Sequence, residues 1–332
     1  MEVKPILDYK TTVTTFAGTG LQGYANGDKL VATFNKPKGI KEGADGVIYI
    51  ADSSNFLIRQ ISTLGVVSVL AGNRLPNVGV PGAALQVGFN LPTDLVLDAA
   101  NNVYISDTSN NYIREYMRAD ATVRIFSGDG GFGSDGTASF GFPEGIVLVD
   151  QETAIVLCDT FNNILRRVNI VYEKTKIAGT GAAGSADGPA NLATFRAPSG
   201  VVVDSRGDMF ISDTGNNVIR KLSNGQVTTF AGSGTIGKSD GQGILASFRG
   251  LTGIAIDSND NIYVADTLNH LIRKVTPSGM VSTIAGTGEV GAVDGNGHEA
   301  SFNGPKALCI LKDGGILISD TLNNKIRILY AK

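Results

Sequence analysis

Short apolar runs separated by polar, glycine-containing turns fill the chain, and they come in groups of four. In one group, SGVVVD (199–204) carries an unbroken apolar run, which is typical of a strand buried on both faces. DMFISD (208–213), NVIRKL (217–222) and GQVTTFAG (225–232) follow, each after a turn rich in Gly, Asn or Asp. No stretch has convincing helical periodicity. The pattern predicts four-stranded antiparallel units.

Two residues mark these units at a nearly constant period of 51 to 55 residues. An Asp ends the second predicted strand of each unit, at Asp52, Asp107, Asp159, Asp213, Asp266 and Asp320. A Phe precedes the first strand, at Phe34, Phe89, Phe140, Phe195, Phe248 and Phe302. Such a period indicates a solenoid, a propeller or an array, and four-stranded units closed into a ring are the blades of a β-propeller.

The two ends of the sequence determine the number of blades. The last unit supplies three strands between 307 and 331, whereas TVTTFAG (12–18) matches the missing fourth strand. We therefore predict an all-β, six-bladed propeller of four-stranded blades, as a single domain over residues 1–332, with 12–18 as the outer strand of blade 6. This closure removes the open edge of the ring. The blades are expected to begin near residues 34, 89, 140, 195, 248 and 302.

The repeated motif resembles the NHL repeat over about residues 12–331. The fifth copy, NIYVADTLNHLIRK (261–274), is closest, with Asn269, His270 and Leu271 at the positions that name the family. The resemblance implies the propeller fold. It leaves the function open, because NHL propellers include RNA-binding and protein-binding modules, bacterial sensor domains and a zinc-dependent peptide-amidating lyase.

Residues present in every blade are predicted to be structural. Each marker Asp can bond the backbone of the turn that it opens, and an Arg seven residues later is expected to pair with an Asp of the same or the next blade. These arginines are Arg59, Arg114, Arg166, Arg220, Arg273 and Arg327. Further acids lie in the connections between blades, at Asp135, Asp187, Asp240 and Asp294. We interpret them as turn residues, and a ring of calcium ligands is the alternative.

Composition and charge narrow the classes of partner. The net charge is −3, which gives no strong attraction for nucleic acid, and no apolar run is long enough to insert into a membrane. Cys158 and Cys309 lie in predicted strands outside any metal-binding spacing, which favours two buried thiols. The abundance of Gly, Ser, Thr and Asn leans towards an extracellular or cell-surface protein, but the compartment stays open.

Polar residues that differ between blades mark a candidate ligand site at the mouth of the central channel. The residues around the start of the first strand are expected to converge near the axis. They include Lys38, Asp94, Glu144, Arg196, Arg249 and Lys306. Their mixed signs favour a small polar or zwitterionic ligand over a polyanion. The alternative is a solvated mouth whose charges pair with one another.

Apolar residues near the Asp-Thr turns mark a candidate partner surface. Phe161, Leu268 and Leu322 follow the Asp-Thr pair directly, and Phe56 stands two positions further along in blade 1. If they are exposed together, they predict a protein-binding face. Singly exposed apolar residues are ordinary, and that is the alternative.

These observations favour a monomeric binding or scaffold module for a protein or peptide, with a small polar ligand as the second choice. Nucleic acid is disfavoured because the loop acids are expected on the binding face. The alternative function is a hydrolase or lyase with a metal on the axis, calcium rather than zinc, because His270 and His298 cannot complete a three-histidine zinc site. No cofactor is expected otherwise.

Overall fold

In this computed structural model, which describes residues 11–76, 80–133 and 139–331, six antiparallel sheets form a closed ring. The innermost strands are β3 (Pro37–Glu42), β8 (Leu95–Leu97), β12 (Pro143–Val149), β17 (Pro198–Val203), β22 (Ile254–Ile256) and β27 (Pro305–Ile310). Each innermost strand contacts the next one around the ring, and β27 contacts β3. The predicted all-β, six-bladed propeller is therefore confirmed.

The remaining strands of each blade lie progressively further from the axis. The second strands are β4 (Ile48–Asp52), β9 (Val103–Asp107), β13 (Ala154–Asp159), β18 (Met209–Asp213), β23 (Ile262–Asp266) and β28 (Ile316–Asp320). The third strands are β5 (Leu57–Ile61), β10 (Tyr112–Met117), β14 (Ile164–Asn169), β19 (Val218–Ser223), β24 (Leu271–Val275) and β29 (Lys325–Ala331). The outer strands are β6 (Val66–Ala71), β11 (Thr122–Ser127), β15 (Lys174–Ala178), β20 (Gln226–Ala231), β25 (Met280–Ala285) and β1 (Thr11–Ala17).

The ring closes through β1, which pairs with β29 from Thr11 opposite Ala331 to Ala17 opposite Ile326. Blade 6 therefore contains strands from both ends of the sequence, as predicted. Two-residue strands from the connections add a fifth strand to five of the sheets. They are β2 (Gly27–Asp28), β7 (Gly82–Ala83), β16 (Gly188–Pro189), β21 (Gly241–Gln242) and β26 (Gly295–Asn296).

Seven short 3₁₀ helices are present in the described residues. Five form the turns after the second strands: Ser53–Asn55, Thr108–Asn110, Thr214–Asn216, Thr267–Asn269 and Thr321–Asn323. Two lie in connections, Ala84–Gln86 and Gly243–Leu245. None of these helices could span a membrane. We call the side of the ring with these turns and the connections the turn face, and the opposite side the hairpin face.

The core is divided into six apolar clusters, each between two adjacent blades. The cluster between blades 4 and 5, for example, joins Ile219 to Val264 and includes the marker Phe248. Because each cluster draws on two blades, no blade has a core of its own. The stability of every blade therefore depends on its neighbours.

In four of the blades, close approach at the axis depends on a glycine within the first strand or directly before it. A Cβ on Gly253 would lie 2.3 Å from the carbonyl oxygen of Lys306, and one on Gly145 would lie 2.6 Å from that of Ser199. Blade 2 carries Asp94 at this position. Its carboxylate accepts hydrogen bonds from the backbone N–H groups of Leu95 and of Ile146 in blade 3.

Candidate functional site

Each marker Asp forms a buried ion pair with the arginine of its own blade. In blade 4, Asp213 accepts hydrogen bonds from Arg220 at 3.0 Å and from the backbone N–H of Arg196 at 2.7 Å. The Arg220 guanidinium also lies 5.2 Å from the centroid of the Phe195 ring. Burial raises the pKa of the Asp213 carboxyl, and its hydrogen bonds oppose that rise. All six blades contain the pair.

The acids of the connections contact the same arginines. Each accepts a hydrogen bond from the arginine of the blade that follows it, in the pairs Asp187–Arg220, Asp240–Arg273 and Asp294–Arg327. In blade 1, Asn26 takes this place beside Arg59. Asp135 lies outside the described residues. The candidate calcium ligands are thus paired with buried arginines, which offsets their negative charge, although Asp187 and Asp294 stay about half-exposed.

Two further positions of most turns connect neighbouring blades, and these contacts between blades were not predicted from the sequence. The Thr hydroxyl donates to a carbonyl at the start of the next blade, as Thr267 does to Pro305 at 2.8 Å. Three residues later, Asn or His accepts a backbone N–H of that blade, as His270 does from Gly304. The hydroxyl donors are Thr108, Thr214, Thr267 and Thr321. The acceptors are Asn111, Asn163, Asn217, His270 and Asn324.

Blade 1 differs at both positions. Ser53 replaces the Thr, and within the described part of the chain its buried hydroxyl has no hydrogen-bond partner. Phe56 replaces the Asn in the left-handed conformation, at φ 58°, and it cannot accept a hydrogen bond. Phe56 is half-buried at this position and does not lie at a turn tip beside Phe161, Leu268 and Leu322.

Four of the six predicted channel residues line one cavity on the axis. Lys38, Asp94, Glu144 and Lys306 surround a volume of about 60 Å³ together with the hydroxyls of Thr93, Ser199 and Thr252. Arg196 and Arg249 are exposed on the turn face instead. Both stand directly after a marker Phe, before the chain turns inwards along the first strand.

The charges in the axial cavity perturb one another. Burial raises the pKa of the Glu144 carboxyl, and the ammonium groups of Lys38 and Lys306 oppose the rise. Burial lowers the pKa of Lys38, Glu144 opposes that change, and Lys306 reinforces it. Burial also raises the pKa of Asp94, which Lys41 opposes. The cavity is thus a polar compartment with charges of both signs.

The donor set of this cavity fits a metal ion poorly. Both oxygens of Asp94 already accept backbone hydrogen bonds, and Glu144 shares the cavity with two lysines whose ammonium groups would repel a cation. Among the described residues, no group of three or more His, Cys, Asp and Glu side chains is arranged to hold a metal ion. We therefore derive no reaction step through calcium or zinc.

Apolar side chains are exposed on the turn face at the predicted turn tips. Phe161 is 61% exposed, Leu268 53% and Leu322 52%. Phe161 packs edge-to-face against Phe132, with ring centroids 4.8 Å apart, and Phe142 completes the cluster at 5.6 Å from Phe132. We call these three residues the aromatic cluster.

Phe132 and Phe142 were not predicted from the sequence, because they lie outside the Asp-Thr turns that the repeat makes comparable. Phe132 lies in a connection, where it forms a parallel bridge with Phe140, and Ile236 and Val290 occupy the same place in later blades. Aligning the connections by this bridge would have found them. Ile236 and Val290 are also largely exposed, and they line a groove of about 390 Å³ with Leu268.

Exposed charges of both signs lie on the turn face, and those without an ion-pair partner among the described residues are mostly positive. Lys36, Arg196, Lys238 and Arg249 are exposed there, and none of them forms a salt bridge with a described residue. Glu289 is an exposed acid beside Lys238 and Arg249 in the groove. The loop acids Asp187 and Asp294 are exposed on this face as expected, but each is paired with a buried arginine, which offsets its negative charge.

Comparison with known proteins identifies the repeat. The NHL repeat model matches residues 248–275. The chain is 29% identical over 289 residues to Protein SUPPRESSOR OF QUENCHING 1, chloroplastic, of Arabidopsis thaliana, covering 79% of this chain and 27% of that protein. It is 27% identical over 320 residues to human NHL repeat-containing protein 2, covering 90% of this chain and 39% of the relative. The chain thus spans well under half of the length of either relative.

A solved structure shows the same fold. A protein of unknown function from Bacteroides thetaiotaomicron superposes with a TM-score of 0.77 at 22% identity, over 97% of this chain and 76% of that one. At this identity the likeness establishes architecture alone. With the matching repeat, the NHL-containing relatives and the six observed blades, the chain is a six-bladed β-propeller that contains an NHL repeat.

Proposed function

We propose that this propeller is a binding module that recognises an acidic protein segment bearing aromatic or large aliphatic side chains. The segment docks on the turn face. The observation that carries the proposal is the exposed aromatic cluster of Phe132, Phe142 and Phe161 on a face whose free charges are mainly cationic. Aromatic anchors and arginines are the side chains that dominate protein interfaces.

Charge complementarity selects the partner. Arg196 and Arg249 stand on the two blades that follow the aromatic cluster around the ring, and neither has an acid within ion-pair distance among the described residues. Carboxylates of a partner would supply the missing counter-charges and steer its approach. The groove beside Leu268, Ile236 and Val290 offers a second apolar contact on the same face.

The alternative function, an enzyme with a metal on the axis, has weaker support. Its candidate ligands Asp94 and Glu144 share their cavity with Lys38 and Lys306. The turn face, in contrast, needs no further group to act as a binding surface.

Selection of a random displayed-peptide library on the immobilised protein tests the proposal. Enriched peptides should combine Asp or Glu with an aromatic residue, and their affinities should be measured by fluorescence anisotropy. Phe161→Ser should weaken binding by about tenfold or more, as expected for an interface anchor. Leu64→Ser is the matched control, because Leu64 is 89% exposed on the hairpin face.

The charge contribution is tested in the same assay. Arg249→Glu should weaken binding and flatten its salt dependence, whereas Lys176→Glu on the outer strand β15 should leave both unchanged. Enrichment of basic peptides would contradict the proposal. So would binding of a single-stranded RNA probe that outcompetes every selected peptide, since a nucleic-acid partner would then explain the cationic face.

A further inference from the structure

The central channel changes its character along the axis. At the turn face it is polar, with Lys38, Glu144 and Lys306 in its wall. Towards the hairpin face it opens into a second compartment of about 270 Å³, whose wall is mainly aliphatic. Its lining includes Val96, Val147, Val203, Ile256 and Ile310. Lys41, Val201 and Leu308 belong to both walls, so the compartments are successive levels of one channel.

The aliphatic level is partly open. Val96, Val147, Val203 and Ile256 keep part of their surface accessible, although each sits in an innermost strand where the blades converge. Apolar side chains arranged around a concave wall are typical of ligand pockets, and a few converging polar groups at one end fix the orientation of the ligand.

The polar level carries an excess positive charge. Asp94 and Lys41 offset each other, which leaves the two ammonium groups of Lys38 and Lys306 against the single carboxylate of Glu144. None of these last three side chains makes a direct hydrogen bond or ion pair with another described residue, and all three are half-buried. A half-buried charge without a direct partner gains from an added counter-charge. One added negative charge would balance the polar level, whereas Glu42 lies in the wall of the adjoining aliphatic compartment.

We propose that the channel binds a linear aliphatic monocarboxylate, with its carboxylate between Lys38 and Lys306 and its chain in the aliphatic compartment. This site is separate from the turn-face surface, and it goes beyond the proposed recognition of a protein segment. Glu144 favours a ligand with one negative charge over a dicarboxylate, because it would repel a second anionic group. The ammonium groups of Lys38 and Lys306 would repel an alkylammonium ion at the polar level.

Isothermal titration of the whole chain with butyrate, hexanoate and octanoate tests the inference. Affinity should rise by about fourfold for each added methylene, because each one leaves water for the aliphatic compartment. Octanol and octylammonium, which have the same chain, should bind at least tenfold more weakly than octanoate. Equal affinity for octanoate and octanol would overturn the assignment of the lysines, and absence of any chain-length dependence would overturn the assignment of the aliphatic level.

Two substitutions separate the ends of the site. Lys306→Met should reduce octanoate binding by tenfold or more and leave octanol binding unchanged, which also shows that the channel is intact. Val203→Glu should remove the chain-length dependence. Arg249→Met on the turn face is the matched control and should leave octanoate binding unaltered. If it weakens octanoate binding as much as Lys306→Met does, the ligand sits on the turn face and the channel assignment fails.

These variants also keep the two proposals distinguishable. Lys306→Met and Val203→Glu change the channel and should not affect the peptides selected on the turn face. Phe161→Ser should have the reverse effect. Loss of carboxylate binding with intact peptide binding, or the opposite, therefore identifies which proposal has failed.

Discussion

Asn217 provides the sharpest test of how the ring is held together. It occupies the last position of the blade 4 turn at φ 56°, and its side-chain oxygen accepts the backbone N–H of Gly250 in blade 5 at 2.8 Å. Asn tolerates this left-handed conformation better than other residues with a side chain. Asn217 therefore stabilises the fold through both its backbone and its side chain.

Replacement with Ala removes both contributions. The lost hydrogen bond is worth about 1 kcal/mol. Placing Ala in the left-handed region costs about 1 kcal/mol more. We expect Asn217→Ala to lower the free energy of unfolding by about 2 kcal/mol. Asn217→Asp keeps the acceptor and the backbone preference, and it should stay within about 0.5 kcal/mol of the parent.

Urea unfolding followed by circular dichroism measures these differences. The comparison holds if the dependence of the free energy on urea is the same for the variants, since a changed slope would signal a different unfolding transition. Asn217→Gly separates the two effects, because Gly accepts the backbone conformation and lacks the acceptor. If Ala, Gly and Asp all unfold at the parent's midpoint, this contact does not hold the blades together.

Three other changes test the scaffold and its titration. Asp213→Ala should lower the free energy of unfolding by about 3 to 5 kcal/mol in urea, because it leaves Arg220 buried without its carboxylate, and an unchanged midpoint would contradict this. Gly253→Ala should also destabilise, since its Cβ would collide with a carbonyl of the next blade, whereas Gly207→Ala meets no atom and should cost only about 1 kcal/mol for its positive φ. Burial lowers the pKa of His270. The His270 imidazole therefore binds a proton at a higher pH in the unfolded chain than in the folded one. As the pH falls below about 6.5, the free energy of unfolding should decline until the pH reaches the pKa of the folded state. His270→Asn, which keeps the acceptor, should reduce the decline in thermal melts between pH 7 and 5, and an unaltered pH profile would refute the argument.

The repeat made most of the fold predictable. Every blade needs the same hydrogen bonds, so the residues that make them recur, and Asp52 and its five counterparts revealed the repeat period. The unmatched strand near residue 12 predicted how the ring closes. The same reasoning predicted that Asp213 and Arg220 are structural residues, and the two side chains form a buried ion pair. A residue that every blade needs recurs at the repeat period, so a single sequence is enough to find it.

The candidate site was less predictable, because it depends on where each side chain points as well as on its position in the repeat. Phe56 was grouped with the turn tips by its distance from Asp52, but its backbone conformation places it where other blades have Asn. Arg249 was expected at the channel, yet the chain turns inwards only after it. Asp187 is exposed on the turn face as expected, but its ion pair with Arg220, which lies 33 residues further along the chain, was not predicted. Such contacts depend on the packing of neighbouring strands, which periodicity does not encode.

The interface between blades 1 and 2 differs from the others in one respect. On the turn face, Ser53 and Phe56 make neither of the polar contacts found elsewhere. On the hairpin face the same blades are joined firmly, by Arg118 bonded to Asp45 and by Asn101 bonded to the backbone of Ala44. Thermal fluctuations should therefore separate these two blades at the turn face while they remain in contact on the other side. Among the contacts between blades on the turn face, backbone amides at the contact between blades 1 and 2 should exchange fastest. The channel would widen only on the side where these two blades meet.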